Sequence, residues 1–252
     1  RLLRSLQAWF RGGGAAELEA AIRLHERGDL AGAELRYQAM LRSDARNADA
    51  MHLLGLIAHQ RGEHAAAVAQ IGAAITLSPD QASYHYNLGN ALVALDRPQE
   101  AVESFRAATR LDPARSAARS NLAHALTQTG RHQEAVAEFR QLLKLQASNA
   151  QRNALASALV RLADSDPGAA HSYHEAAELL QQAWQDADDP AEARLALAYC
   201  LQQRKRWTEA AGHYEAVLLL QPRNPTAHNN LANCYNQLGR VADAILHYRE
   251  TY

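Results

Sequence analysis

Leu54-Gly55, Leu88-Gly89 and Leu122-Ala123 follow one another at intervals of 34 residues, as do Leu197-Ala198 and Leu231-Ala232. Alanine keeps the same interval at Ala33, Ala67, Ala101 and Ala135, then at Ala176, Ala210 and Ala244. A repeat of this length built from helix-forming residues restricts the chain to a stack of near-identical units. In such a stack each unit buries its apolar side only on its neighbours, and the useful surface is a long face rather than one closed cleft.

Each unit reads as helix, tight turn, helix. In the stretch from Pro225, Leu231, Ala232 and Tyr235 share one helical face, Gly239 breaks the helix, and Ala244, Ile245 and Tyr248 begin a second apolar stripe. Turns are expected at Gly28, Gly62, Asp96, Gly130 and Gly239. The large residues Tyr37, Ile71, Phe105, Phe139, Leu180, Tyr214 and Tyr248 follow the alanines by one helical turn and read as second-helix anchors. The alanines themselves mark tight helix crossings, where a larger side chain would overpack. Units are expected at 14–47, 48–81, 82–115, 116–148, 149–190, 191–224 and, incomplete, 225–252.

These phrases resemble the tetratricopeptide repeat family. His85-Tyr86-Asn87-Leu88-Gly89-Asn90, with Ala101, Phe105, Ala108 and Pro113, fits that family's pattern nearly throughout. The resemblance covers about 14–252 and implies an all-α, right-handed superhelical solenoid whose first helices line a concave groove. One unit departs: about eight extra residues around Asp164-Ser165-Asp166-Pro167-Gly168 separate its two helices, and their composition favours a loop near 163–170.

Both ends carry expectations. Residues 1–13 place Leu2, Leu3, Leu6, Trp9 and Phe10 among Arg1, Arg4 and Arg11, as an amphipathic helix covering the first unit would. The other end stops within a second helix with no polar cap after it. The expectation there is more chain beyond Tyr252 or a covering partner, and end-to-end self-association stays open.

Net charge is −1, which provides no field to hold nucleic acid. No apolar run is long enough to span a bilayer. Cys200 and Cys234 occupy equivalent places in adjacent units, where packed helices sit roughly 8–10 Å apart, too far for the roughly 7 Å limit of a disulfide. Two free thiols suit a reducing, cytoplasmic setting.

Catalytic chemistry is not written into the chain. No phosphate-binding glycine loop and no nucleophile elbow is present, so no enzyme activity and no cofactor are expected of this region. Of the 12 histidines, His59 and His64 flank a turn and are expected to face apart, and no metal site is expected. Arg204-Lys205-Arg206 reads as a solvated turn.

What remains is polar and lies on the first helices. The expected peptide-binding groove comprises His52, Tyr86, Asn87, Asn90, Asn121, His124, Gln128, Tyr199, Gln203, Asn229, Asn230, Asn233 and Gln237, with Arg161 as its cation. An asparagine amide both donates and accepts, so it can hold a peptide unit regardless of side chain. The expected function is therefore a protein-interaction scaffold that takes an extended peptide or a partner helix. The Asn-Leu-Ala-Asn phrase at 230–233 resembles the asparagine ladder of O-GlcNAc transferases. The alternative it implies is the substrate-recognition arm of a larger bacterial glycosyltransferase or sulfotransferase. Leu53, Ala154 and Ala196 interrupt that ladder.

Overall fold

A computed structural model of the chain describes residues 14–183 and 190–251. The helix expected over 1–13 lies outside them. Among the described residues there are fourteen α-helices, one short 3-10 turn and no strand. The chain divides into two compact units between Ala125 and Leu126. The first holds α1 (Gly14–Glu26), α2 (Leu30–Ser43), α3 (Ala48–Gln60), α4 (His64–Leu77), α5 (Ala82–Ala94) and α6 (Pro98–Leu111), and α7 (Ser116–Gln128) carries the chain across the boundary. The second holds α8 (His132–Leu145), α9 (Asn149–Ser165), the 3-10 turn Pro167–Ala169, α10 (Ser172–Ala183), α11 (Pro190–Gln203), α12 (Trp207–Leu220), α13 (Pro225–Gln237) and α14 (Val241–Arg249). Odd-numbered helices are the first of each pair and even-numbered ones the second.

The periodic residues form the core of each pair. All seven alanines of the 34-residue series are at most 2% exposed. Tyr37, Ile71, Phe105, Phe139, Leu180 and Tyr214 are buried beside them, while Tyr248 in the last pair is only half-buried. The crossing is tight for a visible reason. A Cβ on Gly55 would lie 2.6 Å from Ile71 Cγ1, and one on Gly89 would lie 2.5 Å from the Phe105 ring. At these two crossings the first helix must therefore present glycine.

Turns follow from one left-handed residue each. Gly28, Gly62, Gly130 and Gly239 take φ between 74° and 84°, a region open to glycine without cost. Asp96 does the same at 56°, and so does Lys205 at 58°, a position whose residue type gives no turn signal. Helix starts are fixed by side-chain caps from Asp29, Asn47, Ser148 and Asn224, each accepting from a backbone N–H three residues on.

The extra residues of the fifth pair are divided between a longer first helix and the turn that follows it. α9 runs for 17 residues where α3, α5, α7 and α13 have 13, and the chain then turns through the 3-10 segment into α10. Ala163, Ala169, Ser172 and Tyr173 in this stretch are buried, so apolar burial overrides the loop-forming composition.

Within each unit consecutive helices pack against one another in chain order, and first helices also touch the next first helix: α3 touches α5, α9 touches α11, and α11 touches α13. The first helices thus share one side of each stack, and that side holds most of the expected groove residues.

Candidate functional site

In the first unit, polar side chains from successive first helices pair with one another. His25 Nε2 lies 3.0 Å from Gln60 Oε1. Tyr84 donates to Asp49 Oδ1 at 2.5 Å, and Asn87 Nδ2 donates to His52 Nε2 at 2.8 Å. Asn121 Nδ2 donates to Asn90 Oδ1 at 2.8 Å. Three of these four pairs are 35 residues apart, one repeat plus one position. That offset sets facing positions of parallel neighbouring helices.

His52 is not a groove contact. It is 4% exposed, stacks on the Tyr84 ring at 4.3 Å and accepts from Asn87. Burial, then the charges of Arg115 and His25, push its pKa down to about 3. The ring is neutral, with its proton on Nδ1, and it cannot reach a ligand. Tyr86 is half-buried against Phe105, under the Arg115 guanidinium, which sits 4.5 Å above its ring. His124 is exposed, with Nδ1 2.7 Å from the Ser120 carbonyl oxygen, and Gln128 is exposed at the end of α7.

In the second unit Gln203, Asn229 and Gln237 are exposed, whereas Tyr199, Asn230 and Asn233 are half-buried. Asn230 hydrogen-bonds the hydroxyl of Tyr214, which itself donates to Gln202 Oε1 at 2.9 Å. Asn233 Oδ1 accepts from Tyr248 at 2.6 Å. The asparagines thus act first as internal ties. They do not stand as a free row of amides.

An open cleft lies between α9 and α11. Its volume is about 740 Å³, within the range of ligand sites, and Leu180 of α10 contributes to its wall. Asn153, Ser157 and Arg161 line it at four-residue spacing along α9, and Glu192, Ala196 and Tyr199 face them from α11. The opening has a sequence cause. At the position where α5, α7 and α13 carry Asn87, Asn121 and Asn230, α9 and α11 carry the small Ala154 and Ala196. The added turn of α9 closes one end. Its Asp164 accepts from Tyr173 at 2.5 Å and from Tyr199 at 2.9 Å, so the phenols are held in place and their acidities fall, burial first and the carboxylate bonds second. One buried polar atom in the cleft lacks a partner among the described residues, Asn153 Oδ1, and the exposed Arg161 lines the same cleft. Sequence reasoning singled out Arg161 and Tyr199 but gave Asn153 and Asp164 no role in the groove.

The histidines hold one correction. His59 and His64 do not face apart: their Nδ1 atoms are 3.1 Å apart across the turn between α3 and α4. A five-residue step over a left-handed glycine brings the two rings together. Cys200 and Cys234 are both free and buried, and burial lifts their thiols to about 12 and about 11.

Sequence models of the tetratricopeptide repeat match residues 86–151 and 201–252, 55–96, and 169–218. The chain belongs to the tetratricopeptide repeat family. Solved tetratricopeptide structures agree on the fold. YrrB, described as a TPR protein with an unusual peptide-binding site, matches at a TM-score of 0.59 and 20% identity, over 72% of this chain and 90% of that one. Pseudomonas aeruginosa pilF matches at 0.61 and 20% identity, over 87% and 96%. The Naa15/Naa10 complex bound to HypK-THB matches at 0.67 and 19% identity; there 93% of this tetratricopeptide chain aligns with 36% of the larger one. Comparison with curated protein sequences yields no match. No helix among the described residues is long and apolar enough to cross a membrane.

Proposed function

We propose that this tetratricopeptide array is an interaction scaffold that receives an extended segment of a partner protein on its first helices, with the α9–α11 cleft as the anchoring site. The fold supports the scaffold role in general, and the cleft supports its location. The observation that carries the reading is the unmet acceptor there, Asn153 Oδ1, in a cleft lined also by the exposed Arg161 and by the apolar Ala196 and Val160. An acceptor buried without a donor costs about 1–3 kcal/mol, and a turn of the Asn153 amide that presents its oxygen to a peptide N–H recovers that cost. Arg161 then pairs with a carboxylate or carbonyl of the same segment. Successive groups along α9 stand about 6 Å apart, close to the roughly 6.6 Å repeat of alternate residues in an extended peptide. A strand-like segment therefore stays in step with Asn153, Ser157 and Arg161 across the cleft.

Outside the cleft, the exposed groups His124, Gln203, Asn229 and Gln237 provide adjustable contacts within their own units. Asn87, Asn90, Asn121 and Asn230 contribute by fixing neighbouring helices. That internal engagement favours the scaffold over the transferase-arm reading, which needs a row of free amides.

Filling the cleft tests the proposal. Ala196→Trp in the intact chain should keep its helical circular dichroism and weaken binding of the partner segment by at least tenfold. Arg161→Glu should weaken it by a similar factor and lessen its dependence on salt. Binding that is unchanged in both variants would contradict the assignment.

A further inference from the structure

The last helix pair brings two imidazoles together in a way the peptide-binding role does not use. His228, in the first turn of α13, is 7% exposed. Its Nε2 lies 2.9 Å from the carbonyl oxygen of Pro222, and its Nδ1 lies 2.9 Å from Nδ1 of His247 on α14. A carbonyl oxygen can only accept, so the proton of neutral His228 resides on Nε2. Its Nδ1 then turns a lone pair toward His247, and His247 supplies the shared proton. Metal-binding histidines are held in this manner, one ring N–H anchored to a carbonyl and the other nitrogen left to coordinate.

We propose that His228 and His247 form a two-imidazole site for a first-row divalent transition metal, with the ion set to one side of the line joining the Nδ1 atoms and bound by both in place of their shared proton. The separation selects among metals. Two metal–nitrogen bonds of about 2.0 Å at right angles place the nitrogens about 2.8 Å apart, whereas a tetrahedral ion needs about 3.3 Å. The observed 2.9 Å fits neighbouring corners of a square-planar or tetragonal Cu(II) or Ni(II) ion and requires more movement for Zn(II). Cu(II) also leads the general affinity order.

Proton balance is simple above the imidazole range. His247 moves its proton from Nδ1 to Nε2, both rings stay neutral, and no net proton is released. The surroundings suit a dication. Glu215 on α12, Asp243 on α14 and Glu250 just beyond it all bear on His247 with negative charge. Tyr235 of α13 packs at 5.6 Å from the His247 ring, and the Arg240 guanidinium lies 4.0 Å from the centroid of that phenol. No group of three or more metal-binding side chains is assembled among the described residues, so water completes the coordination. The His59–His64 pair shows no comparable carbonyl anchor, which makes it the natural control.

The test is titration of the chelator-stripped chain with Ni(II) or Cu(II), by calorimetry and by the Cu(II) electron paramagnetic resonance spectrum. The expected result is one strong equivalent of metal, nitrogen hyperfine coupling in the Cu(II) spectrum, and slower amide exchange in α13 and α14. His247→Gln, on the half-buried partner, should lower affinity at least tenfold with helicity retained. His64→Gln should leave the site intact. Absence of a saturable equivalent would overturn the proposal. So would an affinity that His247→Gln leaves unchanged, or one that His64→Gln abolishes.

Discussion

At the scale of single residues, the amides and imidazoles of the first helices are structural before they are functional. Asn87 holds the buried Nε2 of His52, and the loss of that donor leaves an orphaned acceptor. Asn87→Ala is therefore expected to cost about 1–3 kcal/mol in urea unfolding, more than an exposed amide would. Acid should have a related effect. His52 is depressed to about 3 and His59, His213 and His247 are also lowered, with burial the leading cause for all four. Each is neutral when folded and takes up a proton more readily when unfolded, from an ordinary value of 6.5. Their contribution is complete above that pH and is lost as pH falls toward 3. Below pH 6.5 the melting temperature should decline, by an amount worth a few kcal/mol at the acid end, and His52→Phe should flatten the decline. A decline unaffected by that substitution would place the acid sensitivity elsewhere. The periodic pattern put His52 and Asn87 on first helices, but not which way each ring or amide turns. The 35-residue offset was visible in the numbering and identifies such pairs once neighbouring helices are known to run in parallel.

At the scale of helices, the packing rules set by glycine and alanine make opposite predictions at two positions. Alanine is the better helix former, yet Gly89→Ala drives a Cβ into the Phe105 ring and should destabilise by about 1–3 kcal/mol. Lys205 holds a left-handed backbone that lysine disfavours, so Lys205→Gly should stabilise by about 0.5–1 kcal/mol. Thermal melts of the two variants check both signs. The alanine series and its anchors were legible because tight crossings recur at every repeat. The fifth pair was legible only as an irregularity. Asp, Ser, Pro and Gly spoke for a loop, whereas buried Ala163 and Tyr173 hold a longer α9 whose Asp164 clasps Tyr173 and Tyr199. Asp164→Ala should loosen that end of the cleft: partner binding weakens severalfold, and near-ultraviolet tyrosine dichroism changes while helicity persists.

At the scale of the whole molecule, the 34-residue interval decided the architecture, and local departures from it decide where a ligand fits. A solenoid gives every repeat a similar open face, so the proposed site is sought at a break in the pattern. Ala196 in place of asparagine, together with the longer α9, is such a break.

The most direct test of the peptide-binding account is site-specific photo-crosslinking of the intact chain to its partner. A crosslinker at Ser157, inside the α9–α11 cleft, should capture the partner segment, and one at Gln141 on α8 should not. Capture from Gln141 with none from Ser157 would place the partner on the second helices and contradict the account.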